Sequence, residues 1–199
     1  MKYIKSFEKL KEDPFIAAAR KGSSTAIQKM IKDSNININV KSSDGRTALM
    51  NATLNNFITV VKTLITAGAN INLSDNDGRT ALMMASTKSI RDILLNSGAN
   101  VNKKSSNGKN VAMEDLSYST RIDKYIEDLN KYLEYGLDLD AEDDSGKNLY
   151  DIIQDKKNSK FVDHDRFEFY NKLTEYMNEN YPQYKERWEM KNNMSKYNL

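Results

Sequence analysis

The sequence has no cysteine, so a disulfide framework, a thiolate nucleophile and a cysteine-based zinc site are all excluded. It has one histidine, His164, in the string Asp163-His164-Asp165. A single imidazole with no thiolate or second imidazole to join it makes a poor transition-metal site, and the string reads as an exposed helix start. No apolar run approaches 18 residues, so nothing is expected to span a membrane. Residues 1–12 hold lysines but no continuous apolar stretch, so a secretory leader is not expected and cytoplasm is the expected location. Net charge is +2, too balanced to announce nucleic acid. There is no glycine-rich phosphate loop and no Gly-x-Ser-x-Gly. Asp75-Asn76-Asp77-Gly78 begins like a calcium loop, but the twelfth position is Ser86 where a bidentate glutamate belongs. Acid pairs fall on turns expected to face water, where no shift of their pKa is expected. The expectation is a protein without enzyme activity, cofactor or metal.

What the chain does have is a repeated phrase. Asp44-Gly45-Arg46-Thr47-Ala48-Leu49-Met50 returns unchanged as Asp77-Gly78-Arg79-Thr80-Ala81-Leu82-Met83, 33 residues later. A second anchor, Ala67-Gly68-Ala69-Asn70-Ile71-Asn72, returns as Ser97-Gly98-Ala99-Asn100-Val101-Asn102. Anchors of the first kind fall at Gly45, Gly78, Gly108 and Gly146, and those of the second at Asn35, Gly68, Gly98 and Gly136. From the second kind to the next of the first is 10 residues every time, whereas the steps back are 23, 20 and 28. A rigid piece therefore alternates with a piece of variable length, the signature of stacked supersecondary units.

The variable piece reads as helix, since Ile58, Val61, Leu64 and Ile65 fall on one helical face. Gly68 stops that helix in the left-handed conformation, and Asn35, the non-glycine residue that best tolerates it, is expected to do the same in the first copy. The rigid piece is a β-turn of Asp, Asn, Ser and Gly, with Thr47 and Thr80 placed to cap the helix that follows.

These two anchors resemble the ankyrin repeat over roughly residues 13 to 153. The family's common Thr-Pro-Leu-His reads Thr47-Ala48-Leu49-Met50 here, and Asn110-Val111-Ala112-Met113 in the fourth copy. Methionine at that place is expected to pack rather than to hydrogen-bond. The resemblance implies an all-α solenoid of four to five turn-helix-loop-helix units with helical caps. The expected boundaries form one domain over 1–199. An N-terminal cap covers 1–12, and repeats cover 13–41, 42–74, 75–104 and 105–142. A degenerate last repeat spans 143–180 and a terminal helix and tail spans 181–199. The third repeat lacks the equivalents of Asn55-Asn56-Phe57, which predicts a clipped loop between its helices, and the fourth gains residues around Leu116 to Thr120, which predicts a longer one. Residues 163–180 read as a helix with Phe167, Tyr170, Leu173, Tyr176 and Met177 on one side, and Pro182 suits the first turn of another.

Charge is uneven along the chain. Residues 1–40 carry eight basic and four acidic side chains, and residues 103–146 carry six basic and eleven acidic. The acidic excess peaks at Asp138, Asp140, Glu142, Asp143 and Asp144. It reads either as a solvated loop or as one pole of a partner-orienting field.

The resemblance further implies that a protein partner is bound on a concave face made by the turns and first helices. By position it points to Ser43, Asp44, Arg46, Leu54 and Asn55, then Asn76, Asp77, Arg79, Thr87 and Lys88, then Ser106, Asn107 and Lys109. Lys147 continues a cation after each turn glycine: Arg46, Arg79, Lys109, Lys147. That row is either ordinary family chemistry projecting into water or a stripe for an acidic partner. Trp188, the lone tryptophan, either caps the last repeat or anchors a partner. The reading is a binding module that masks or bridges a protein and is monomeric when free, with no nucleic acid or membrane partner. Two alternatives stay open: an inhibitor or immunity-type protein blocking one enzyme, and an adaptor that oligomerises through its terminal helix.

Overall fold

The computed structural model describes residues 12–33, 35–159 and 162–196; the cap expected over residues 1–12 lies, but for Glu12, outside them. The chain falls into two compact units, Met1–Ser106 and Asn107–Leu199. Among the described residues all regular structure is helical, apart from the isolated bridges Lys41–Thr47 and Ser74–Thr80 that close two turns.

The first unit holds α1 (Pro14–Arg20), α2 (Ser24–Ile31), α3 (Ala48–Leu54), α4 (Ile58–Thr66), a 3₁₀ turn (Leu82–Met84) and α5 (Lys88–Asn96). First helices stack on first helices, α1 on α3, and second on second, α2 on α4 and α4 on α5. Each second helix presents an apolar face to this stack: Ile27 from α2, Val60, Val61 and Leu64 from α4, and Ile90, Leu94 and Leu95 from α5 are buried. Each such side chain contributes about 1.5–3 kcal/mol by leaving water.

Helix α2 ends at Ile31 with Lys32 as its cap, so Asn35 stands beyond the C′ position expected of it; its amide donates to Asp33 Oδ1 at 3.2 Å. In the third repeat the missing residues come out of the first helix, not the loop. α3 has seven residues, its counterpart is a three-residue 3₁₀ turn, and the linker to the second helix stays at three residues, 55–57 and 85–87. α5 keeps its nine residues and its buried apolar face, so the whole deletion falls on the first helix. Thr80 consequently caps nothing. Its hydroxyl is buried without a hydrogen-bond partner, whereas Thr47 Oγ1 accepts from the Met50 amide at 3.3 Å. Met50 does more than pack: its Sδ accepts from the Thr47 amide at 3.4 Å, the weak return bond of a capping box.

The second unit holds α6 (Val111–Tyr118), α7 (Ile122–Glu134), α8 (Leu149–Lys157), α9 (His164–Asn180) and α10 (Pro182–Lys196). Here too the linker, 119–121, keeps three residues, and the insertion lengthens α6 and, above all, the 13-residue α7. Asn110 and Asn148 cap α6 and α8, accepting from Met113 N at 3.1 Å and Asp151 N at 3.0 Å. α9 buries Phe169, Tyr170, Leu173, Thr174 and Met177 against α7 and α8. Phe169 takes the inward place expected of Phe167, which is 43% exposed, and Tyr176 is half-buried. The rings of Tyr125, Phe169 and Tyr170 meet edge to face, with centroids 6.1 and 5.2 Å apart. Burial pushes the Tyr125 hydroxyl pKa up, and that hydroxyl donates to the Ala112 carbonyl at 3.0 Å.

Candidate protein-binding face

The turns are joined to one another. Asn76 N donates to the Asp44 carbonyl at 3.1 Å, Ser106 N to the Asp77 carbonyl at 2.8 Å, and Asp144 N to the Asn107 carbonyl at 3.2 Å. This contact needs glycine at the following position twice over. Gly78 has φ +75°, and a Cβ there would sit 2.6 Å from Ser106 N; Gly108 has φ +76°, and a Cβ there would sit 2.5 Å from Asp144 N. A second ladder runs along the other loops. Asn70 N donates to Asn39 Oδ1 and Asn100 N to Asn72 Oδ1, both at 2.8 Å, while each Asn-x-Asn closes on itself, as Asn72 N does on Asn70 Oδ1 at 3.0 Å. The signal for it stands in the sequence as Asn37-Ile38-Asn39, Asn70-Ile71-Asn72 and Asn100-Val101-Asn102.

Set on these ladders, the candidate contact residues part into two groups. Ser43, Asp44, Asn55, Asn76 and Asp77 are exposed in the first unit, and Leu54 is an apolar side chain 44% exposed at the end of α3. Ser106 and Asn107 are exposed at the third turn. Thr87 and Lys88 are not the counterparts of Leu54 and Asn55. They open α5, with Thr87 as its N-cap residue, because the shortened first helix shifts the register.

The cations after the turn glycines do not project freely into water. Asp75, its side chain only 2% exposed, accepts from Asp77 N at 3.0 Å and Arg79 N at 2.9 Å. It also takes Arg79 Nη2 at 3.2 Å and faces Arg46 Nε at 3.9 Å. Arg79 reaches on to Asp77 at 2.5 Å, and Arg46 to Asp44 at 3.5 Å. Lys147 pairs with Asp155 at 2.5 Å. Lys109 lies near Asp143 and helps to hold its carboxyl low. Sequence reasoning placed Asp75 in a generic turn and missed it as the hub; its only signal is the basic residue four positions on. The Asp44 carboxyl is held below its usual range by the Ser42 hydroxyl, then by the Arg46 amide and guanidinium. At Asp143 burial raises the pKa, but the Ser145 hydroxyl and the Lys147 and Ser145 amides outweigh it and lower it overall.

The units run turn, helix, three-residue linker, helix, with turn bonded to turn, and a family model of ankyrin repeats in three copies matches residues 15–105. Residues 15–105 are ankyrin repeats. No curated protein matches the chain. The second unit lies outside the matched residues, yet keeps the same order of turn and paired helices.

Trp188 lies on α10, half-buried. That helix packs on α8 and α9, with Tyr184 buried and Lys191 donating to Asp151 Oδ2 at 3.0 Å. Arg187 pairs with Asp140, so part of the acidic cluster is engaged within the unit rather than left to solvent. Burial, with Asp140 alongside, pushes the Tyr184 hydroxyl up to about 12. His164 is the first residue of α9, behind the cap Asp163, whose Oδ1 accepts from Arg166 N at 2.8 Å. Among the described residues no cluster of His, Asp and Glu could hold a metal ion, and no helix is long and apolar enough to cross a membrane.

Proposed function

We propose that this is a non-enzymatic binding module that grips a protein partner with the turn tips and first helix of its second and third repeats. Ankyrin repeats are in general protein–protein interaction modules. The observation that carries the reading is the exposure of Ser43, Asp44, Asn76 and Asp77 on a hydrogen-bonded turn ladder, together with that of Leu54 and Asn55 at the end of α3. Backbone bonds hold the tips in place, so little ordering entropy is lost when a partner docks on them. The carboxylates Asp44 and Asp77 and the amides of Asn55 and Asn76 offer acceptors and donors around one apolar contact, the usual make-up of an interface.

Arg46 and Arg79 support this face from below, because they are committed to Asp75. The test is affinity capture with the whole protein from its native cell, followed by binding measurements with Leu54→Asp and with Asp44→Ala/Asp77→Ala. Loss of the captured partner at least tenfold in affinity, with the helical signal intact, supports the reading. Unchanged affinity in both variants moves the interface elsewhere.

A further inference from the structure

Helix α10 is attached to the second unit unevenly. Of its described side chains only Tyr184 is buried; Trp188 is half-buried, and Met190 and Met194 are 62% and 49% exposed. The neighbouring α9 buries five. Polar side chains add a hydrogen bond between the Tyr184 hydroxyl and Asp140, and ion pairs of Arg187 with Asp140 and of Lys191 with Asp151 at 3.0 Å and Glu142 at 3.8 Å. The pairs Arg187–Asp140 and Lys191–Glu142 are more than half exposed on both sides, so salt screens them strongly, whereas the Asp151 side chain is 11% exposed and its pair with Lys191 is screened less. The joint to α9 is Tyr181 alone, at φ −140°, and Pro182 after it has no amide with which to carry the helix through. Beneath α10, α8 keeps its own partners in α6 and α9.

We infer that α10 is a salt-releasable latch, which lifts about the Tyr181–Pro182 joint while α8 and α9 stay folded. Release frees the carboxylates of Asp140, Glu142 and Asp151 from their pairs with Arg187 and Lys191. Local opening of this kind belongs to segments with little apolar burial of their own. The inference is independent of the face proposed above.

Trp188 is the only tryptophan, so the full-length protein reports on the latch without labelling. Quenching of Trp188 by acrylamide should rise about twofold as salt goes from about 0.05 M to about 0.5 M, with the far-UV helical signal nearly unchanged. Arg187→Glu with Lys191→Glu should show the high quenching already at low salt, and the exchange Arg187→Asp with Asp140→Arg should restore protection. Quenching that ignores both salt and charge reversal overturns the inference. So does exposure of Trp188 only in the same transition that removes the helical signal. Should a charge variant fail to fold, the salt series on the unaltered protein decides by itself.

Discussion

Asp75 shows how one side chain can organise a turn. It neutralises two guanidinium groups and satisfies two backbone amides from a nearly closed position. Asp75→Ala leaves those donors without their acceptor and should cost about 2–4 kcal/mol, read as a fall in the denaturant midpoint. Arg79→Glu should be destabilising as well, since it sets a third carboxylate against Asp75 and Asp77. A substitution on a freely solvated side chain would stay within about 0.5 kcal/mol, and that result would refute the hub. Asp44 and Asp143 add a pH dependence. Their folded pKa values are lowered, so their contribution is complete above the unfolded value of about 3.9 and is lost as pH falls through the lower folded values. Asp44→Asn with Asp143→Asn should therefore flatten the loss of stability between about pH 5 and pH 3. An unchanged acid limb would count against these turn carboxylates.

At the scale of the element, the linker is the constant and the helix the variable. In the first four repeats three residues join the paired helices, at 21–23, 55–57, 85–87 and 119–121, while their first helices run from a single 3₁₀ turn to eight residues; α8 and α9 stand six residues apart. The cause is geometric: the linker sets how two helices meet, and altering it displaces a whole apolar face, whereas shortening a helix at its end removes contacts locally. The two threonines in the same phrase make the test. Thr47→Val removes a working cap and should cost about 1 kcal/mol. Thr80→Val replaces a buried hydroxyl that has no partner, so it should be neutral or stabilising in thermal melting. Equal losses in both would mean that Thr80 caps a helix after all.

For the whole molecule, the turn glycines mark where stacking stops. Gly108 is crowded by the turn that follows it, but a Cβ at Gly146, also at positive φ, would meet nothing within 4 Å. Gly146→Ala should cost only the left-handed penalty, about 1–2 kcal/mol, and Gly108→Ala clearly more, because the next turn must also move. Comparable losses by chemical denaturation would place a further turn against Gly146.

Letter-for-letter recurrence of Asp-Gly-Arg-Thr-Ala-Leu-Met and the constant ten-residue spacing are enough, without coordinates, to assign the stacked helical architecture and the glycine stops at Gly68 and Gly98. Those features depend on contacts between residues close in sequence, or on one unit meeting its identical neighbour. Three outcomes needed the tertiary structure. Sequence length alone cannot say whether a deletion comes out of a loop or a helix, because that depends on how the paired helices must meet their neighbours in the stack. A row of four cations cannot announce its own partners, since Asp75 meets Arg46 only when consecutive turns are stacked. Nor could Pro182 and a lone Trp188 disclose that Tyr184 turns inward while Arg187 and Lys191 reach carboxylates 40 or more positions away. Those contacts join residues remote in the chain, and only folding brings their charges and apolar surfaces together.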